Sequence, residues 1–291
     1  MVVCGARAAP PAHSLGRAPV VRSAGAAVPA GAGPSLADRP VAHRHRRGAG
    51  LTTGDLLLSV VVPAYNEATT IEAALRQLEG VPLRLEVIAV DDASTDGTGA
   101  ILDGLAGTGL VHQVLHHPTN RGKGAALKTG IAAATGSVIV AQDADLEYDP
   151  ADLPRLLAPI KEGRADAVYG SRFQGGPHRV LFFWHAVGNN LLTLVSNMFT
   201  NLNLTDMETC YKLVRADLLK RLPLTSERFG IEVELTARLA QAGARVWELP
   251  ISYSGRTYAE GKKITWRDGF AAFFHILRYN LFPPRGKWRE R

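Results

Sequence analysis

The sequence predicts an α/β fold, a Rossmann-like, mostly parallel sheet flanked by helices, and three observations carry that expectation. From Leu56 onward, short apolar strands alternate with helical segments, the pattern of a parallel sheet covered on its faces. Two of the strands run straight into acids, Asp91-Asp92 after one and Asp143-Ala144-Asp145 after another. Ligands of open α/β sheets lie beyond the carboxyl ends of strands, so both clusters fall on the edge where a site belongs. No run of 18 or more uninterrupted apolar residues occurs, so no membrane-spanning helix is expected.

Taken in order, residues 1–50 are rich in Ala, Gly, Pro and Arg, without period or long apolar run, and read as a disordered tail. An Arg-rich, acid-poor leader also permits an organelle-targeting reading. This tail holds seven Arg, no Lys and one Asp, which equals the net charge of +6 for all 291 residues. The remaining 241 residues are therefore balanced, which argues against a nucleic-acid-binding domain. A hydrophobic content of 46% suits a globular fold. Cys4 and Cys210 lack CxxC spacing or a partner His, so neither zinc nor a disulfide framework is indicated, and a reducing cytoplasm fits.

Strands are expected at Leu56 to Pro63, Leu85 to Val90, Val111 to His116, Val138 to Gln142 and Ala167 to Tyr169. Helices are expected between them, at about Glu67 to Glu79, Asp96 to Leu105, Gly124 to Ala134 and Ala151 to Glu162. The fourth strand is the most informative. Alternate strand residues point to opposite faces, so the chain must leave the strand at Asp143 for Asp143 and Asp145 to reach one ion, and Asp149-Pro150 supplies the turn. Hard cations such as Mg2+ or Mn2+ take oxygen ligands and keep positions open for phosphate oxygens. A nucleotide diphosphate is the natural remaining ligand. The alternative is a pair of solvated loop acids.

Three other phosphate chemistries fail on inspection. Gly97-Thr98-Gly99 is followed by Leu102 where a dinucleotide fingerprint needs its third glycine. Before Gly122-Lys123, His117 stands where a P-loop has its first glycine, and Gly124 replaces Ser or Thr. Glu147 is a poor match to the Thr of an aspartyl-nucleophile phosphatase.

Six ordered motifs then resemble family 2 glycosyltransferases of the GT-A fold, within the dolichyl-phosphate mannose synthase and polyprenyl-phosphate glucosyltransferase group. They are Val62-Pro63-Ala64-Tyr65-Asn66-Glu67, Val90 to Thr98, Asn120-Arg121-Gly122-Lys123-Gly124, Asp143 to Glu147, Gly170-Ser171-Arg172-Phe173, and Val246 to Lys263 with Pro250-Ile251-Ser252-Tyr253, Arg256 and Lys262. The resemblance covers about residues 56–266 and implies a catalytic domain at 51–265; residues 266–291 read from their own pattern as an amphipathic helix and basic tail. It implies that Pro63, Tyr65, Glu67, Val90 and Asp92 hold base and ribose, and that Gln142 to Asp145, Ala144 included, line the diphosphate. Asp143, Asp145 and Glu147 would hold Mg2+ or Mn2+. Arg172, Arg256 and Lys262 would face the donor diphosphate and the acceptor phosphate, with Asp145 and Arg172 carrying catalysis. Asp206-Met207-Glu208-Thr209-Cys210-Tyr211-Lys212 departs from the mannose synthase pattern and leaves the sugar open between GDP-mannose and UDP-glucose donors.

On this reading the reaction is an inverting, metal-dependent transfer of a hexose to a polyprenyl phosphate. A phosphate acceptor is already ionised near neutral pH, whereas a hydroxyl acceptor needs a base. Asp206, Glu232 and Glu234 are candidates for that base, although Glu232 and Glu234 lie in a helix-like run where solvated acids are expected. The apolar stretch from Val180 to Phe199 either grips an isoprenoid chain, rests on a membrane or packs as a buried helix. Phe270, Phe273, Phe274, Ile276, Leu277 and Leu281, followed by Arg285, Lys287, Arg289 and Arg291, favour peripheral contact with the cytoplasmic leaflet. The lipid then reaches the catalytic domain unaided, or separate membrane proteins help. The rival readings are a transferase acting on a saccharide or small-molecule hydroxyl, and a non-catalytic nucleotide-sugar-binding or membrane-docking module.

Overall fold

A computed structural model describes residues 56–180, 182–257 and 266–284, with side chains of 266–268 left out of account. The tail at 1–50, Lys262 and the basic residues Arg285, Lys287, Arg289 and Arg291 lie outside the described residues. The strands are β1 (Leu57–Ala64), β2 (Arg84–Asp91), β3 (Gln113–His116), β4 (Val138–Ala141), β5 (Ala167–Ser171), β6 (Lys212–Arg215) and β7 (Val246–Pro250). They form one sheet in the order β3-β2-β1-β4-β6-β5-β7. Pairing is parallel except at β6, which runs antiparallel to both β4 and β5. A mostly parallel α/β sheet is thus present, as expected.

Period-two alternation explains why the central strands are apolar throughout. Val60 and Val62 of β1, Val87 and Ala89 of β2, and Val138 and Val140 of β4 enter one core; Val61, Ile88, Val90 and Ile139 between them enter the other. The first core is closed by α1 (Ile71–Gln77), α2 (Thr98–Gly107) and α4 (Leu153–Lys161) through Ile71, Leu75, Leu102 and Leu156. The second is closed by α3 (Lys123–Ala133), α7 (Ile231–Gln241) and α8 (Trp266–Leu281) through Ala126, Leu127, Ala237 and Ile276. Two further helices, α5 (Phe183–Thr200) and α6 (Ala216–Leu219), complete the order.

The expected elements are found with shifted ends. The first helix starts at Ile71 rather than Glu67, because Glu67 O is first taken by Thr70 N–H and Ile71 N–H in a turn. The fourth begins as a 3-10 turn at Pro150–Asp152, where Pro150 fits a first-turn position. β6 and β7 were not expected as strands: β6 is four residues long and carries Lys212, and β7 carries Trp247 and Glu248.

α3 lies unusually close to the sheet. A Cβ on Gly130 would collide with Val61 Cγ1, and Val61 is fully buried. Gly130→Ala should therefore destabilise by roughly 1–3 kcal/mol through overpacking despite alanine's better helix propensity, read from the midpoint of urea unfolding.

Candidate active site

The chain runs from β1 outward to β2 and β3 and returns to β4 on the other side of β1. The crevice between β1 and β4 is therefore the point where strand order reverses, where open α/β sheets bind ligands. β4 ends at Ala141, paired with Val61, and Gln142 N–H still donates to Val61 O. The backbone then turns sharply. Leu146 has φ +64, a left-handed conformation unusual for leucine, and Glu147 N–H donates to Asp145 Oδ1 at 3.2 Å.

Two cations from distant elements meet these acids. Lys123 Nζ lies 2.8 Å from Asp143 Oδ1 and 3.5 Å from Glu232 Oε1. Arg256 Nη2 lies 3.0 Å from Asp145 Oδ2, its Nε 3.5 Å from Glu147 Oε1 and its Nη1 3.8 Å from Glu67 Oε2. Burial, with Asp143 and then Glu147 adding repulsion, pushes the Asp145 carboxyl up to about 7, and Arg256 only partly relieves it. Such a carboxyl gains from any further positive charge.

Glu147, the third residue expected at the metal, accepts hydrogen bonds from the protein itself. Its Oε2 accepts from Tyr253 O–H at 2.7 Å, its Oε1 from Arg256 N–H at 2.8 Å, and its carbonyl from Ser254 N–H at 2.9 Å. Both carboxylate oxygens are engaged by the segment leaving β7. Among the described residues no group of three or more His, Cys, Asp or Glu side chains is arranged to hold a metal ion. Asp143 and Asp145 remain as an all-oxygen pair. One or two carboxylates plus ligand phosphates suffice for Mg2+, so the donor chemistry fits a hard divalent cation.

The donor-side residues divide. Tyr65 is 42% exposed, and Pro63 and Glu67 are half-buried beside it. Val90, Asp92, Gln142 and Ala144, expected beside the donor, are buried. Val90 is core. Asp92 is an anchor: its Oδ1 accepts from Arg121 N–H at 2.9 Å and lies 2.6 Å from His117 Nδ1, while Oδ2 accepts from Gly122 N–H at 2.6 Å. It fixes the loop that opens α3 and so positions Lys123. Gln142 accepts from Tyr211 O–H and donates to Asp143 O at 3.1 Å, which shapes the wall behind the acids. The loops after β1 and β2 are stitched together by Asn66 N–H to Ser94 Oγ, Thr95 N–H to Asn66 Oδ1 and Glu67 N–H to Thr98 Oγ1, at 3.0, 2.8 and 2.9 Å.

Arg172 follows β5 and is forked onto Asp206, with Nε and Nη2 at 2.6 and 2.7 Å from its two oxygens. Nη2 also donates to Asn189 Oδ1 of α5 at 3.2 Å, and the guanidinium stacks 5.2 Å from the Tyr253 ring. Asp206 has no exposure. The expectation of solvated Glu232 and Glu234 is overturned: both are buried. Glu232 Oε2 accepts from Lys212 Nζ at 2.6 Å. Glu234 accepts from the N–H groups of Thr225 and Ser226 at 2.8 and 2.6 Å and pairs with Arg238 at 3.1 Å. All three candidate bases are thus engaged by protein donors.

Lys123 and Glu208 lie within the sequence motifs, but the motifs assign neither a role. A signal existed for Lys123: a cation at the first position of a helix opposes the macrodipole and needs a compensating anion, here Asp143. Glu208 Oε1 is buried with no hydrogen-bond partner, and burial pushes its carboxyl up to about 7 against the pull of Lys212. Only the fold brings Glu208 beside Lys212 and Arg172.

The helix joined to Arg172 through Asn189 packs on the second core through half-buried Leu192 and Val195 yet carries a second apolar stripe on its outer side. On α5, Phe183, Trp184, Val187, Leu191, Leu194 and Met198 are exposed, Trp184 and Met198 at 76% and 74%, while the buried positions are Thr193 and Ser196. On neighbouring α8, Ile276 and Tyr279 are buried while Phe270, Phe274 and Leu281 face outward. α5 is therefore a packing helix on one side only, and its outer apolar stripe is not buried by the described residues. No helix of the described residues is long and apolar enough to cross a membrane.

A family model described as Glycosyl transferase family 2 matches residues 59–222. Among curated proteins, the chain is 34% identical over 215 residues to an undecaprenyl-phosphate mannosyltransferase of Micrococcus luteus, covering 69% of this chain and 85% of the relative. It is 31% identical over 212 residues to a polyprenol monophosphomannose synthase of Mycolicibacterium smegmatis, covering 70% and 79%. Among solved structures, glucosyl-3-phosphoglycerate synthase from Mycobacterium tuberculosis, in complex with Mn2+, UDP and glucosyl-3-phosphoglycerate, superimposes with a TM-score of 0.61 at 22% identity, covering 79% and 82%. At that identity the likeness speaks for the GT-A fold.

Proposed function

The chain belongs to glycosyl transferase family 2 and is a glycosyltransferase, and from that premise we propose that it moves one hexose, with inversion, from a nucleotide-sugar to a polyprenyl phosphate at a membrane surface. The observation that carries the acceptor is α5. A helix tied to Arg172 through Asn189 turns its apolar stripe to solvent, which suits an isoprenoid chain or the acyl boundary of a bilayer. The names of the two curated relatives support the same acceptor class.

Asp143 and Asp145 would hold Mg2+ or Mn2+, and the Mn2+ complex of the structural neighbour is consistent with that choice. A divalent cation there supplies charge neutralisation for the departing nucleotide. Lys123 and Arg256 bind and orient the diphosphate oxygens, where preorganised positive charge favours the leaving group as its charge builds. Tyr65 and Glu67 receive the nucleoside side of the donor. Arg172, held in orientation by Asp206, faces the acceptor phosphate. That phosphate needs no base at neutral pH because its second pKa is about 6, which agrees with the engagement of Asp206, Glu232 and Glu234.

Incubation with Mg2+ or Mn2+, a panel of nucleotide-sugars including GDP-mannose and UDP-glucose, and a short polyprenyl phosphate is expected to yield a glycosyl phospholipid from one donor. Product formed only on a saccharide hydroxyl would defeat this reading. In flotation with anionic liposomes the protein is expected to rise with the lipid, and Trp184→Ser with Phe274→Ser to leave it in the dense fraction. Lipid-independent sedimentation of the unsubstituted protein would count against membrane contact.

A further inference from the structure

Arg172 and Arg256 hold their acids in contrasting ways. Arg172 is locked by two short bonds to one carboxylate. Arg256 spreads over three, with a single hydrogen bond to Asp145 at 3.0 Å and looser approaches of 3.5 and 3.8 Å to Glu147 and Glu67, and its Nε is buried without a hydrogen-bond partner. Its main chain, by contrast, is fixed, since Glu147 accepts from Arg256 N–H, Tyr253 O–H and, through its carbonyl, Ser254 N–H. A firmly held backbone carrying a loosely held guanidinium is the arrangement of a side chain that can exchange partners.

Resting on the metal reading above, we infer that Arg256 is the resident counter-ion of Asp145, that its guanidinium and a divalent cation compete for that carboxylate, and that a nucleoside diphosphate ends the competition by taking the guanidinium onto its phosphates. Glu147 is then a positioning residue. Its charge and two acceptors keep Arg256 poised over Asp145. The consequence is ordered assembly: free cation binds poorly, diphosphate and cation bind well together, and each raises the affinity of the other. Guanidinium suits the exchange because its fork matches a carboxylate and a phosphate equally.

The test is Mn2+ binding followed by electron paramagnetic resonance, for wild type, Arg256→Gln and Arg256→Lys, without nucleotide and then with GDP or UDP in separate arms. Arg256→Gln is expected to bind free Mn2+ about tenfold more tightly than wild type, as follows from removing one unit charge beside a partly screened site. Arg256→Lys, which keeps the charge, should stay near wild type. Adding the matching nucleotide should tighten Mn2+ by a larger factor in wild type than in Arg256→Gln. Equal or weaker Mn2+ binding by Arg256→Gln would overturn the competition while leaving the metal reading intact. Absence of Mn2+ binding in every arm would overturn both. Should Arg256→Gln melt before titration, Mn2+ must raise its Tm by more than it raises that of wild type, and no such rise also overturns the competition.

Discussion

Asp145→Asn is expected to lower turnover by about a hundred- to a thousandfold, the scale of losing one preorganised electrostatic contact to a transition state, with the unfolding midpoint unchanged or raised. The two halves of that expectation have separate causes. Asparagine keeps an oxygen that can accept Glu147 N–H, now at 3.2 Å from Asp145 Oδ1, so the turn after β4 survives. What is lost is a carboxylate already crowded by Asp143 and Glu147, whose charge the fold tolerates with difficulty, so its removal relieves repulsion at the expense of one contact with Arg256. A residue that weakens the fold while serving the chemistry fits a functional site better than a packing role. Steady-state kinetics beside a thermal melt decides the matter. Parallel losses of kcat and Tm would assign Asp145 a structural role instead.

The acids at the β4 edge were legible because an apolar strand broken by two carboxylates is a local pattern, and strand direction alone places it on the ligand edge. Orientation within a motif was not local. Val90, Asp92, Gln142 and Ala144 stand within motifs that mark a donor site, yet their side chains turn into the core or brace the loop at Gly122. Glu232 and Glu234 read as solvated because a helix with alternating acids normally shows them to water. Here α7 is covered on both sides, and the partners that make burial tolerable, Lys123, Lys212 and the Thr225-Ser226 amides, come from elsewhere in the chain. The stripe on α5 was visible as apolar spacing, but period alone does not say which side faces the sheet. The surroundings of Glu147 were not legible for the same reason: its partners, Tyr253 and Arg256, lie over a hundred residues away.

Arg172→Ala is expected to have the largest effect on stability, about 3–5 kcal/mol, because truncation strands a buried carboxylate without its partner. Asp206 has no exposure, and among the described residues its side chain otherwise accepts from Arg172 N–H at 3.1 Å. The desolvation of that charge, offset in the intact protein by a bidentate pair, would then stand uncompensated. The size of the loss tests the explanation only through its partner. If Asp206→Asn is added to Arg172→Ala, the stranded charge disappears and about half or more of the stability should return, a coupling well above the 0.5 kcal/mol scatter of independent sites. Arg172→Lys separates structure from chemistry: it retains a cation for Asp206 but not the fork, so urea unfolding should show a smaller loss than Arg172→Ala. Its kcat/KM for a phosphate acceptor should nevertheless fall by about tenfold or more if Arg172 also faces that acceptor. Additive losses in the double variant would mean that Asp206 is tolerated alone, and the pair would then be a positioning contact with little share in the fold.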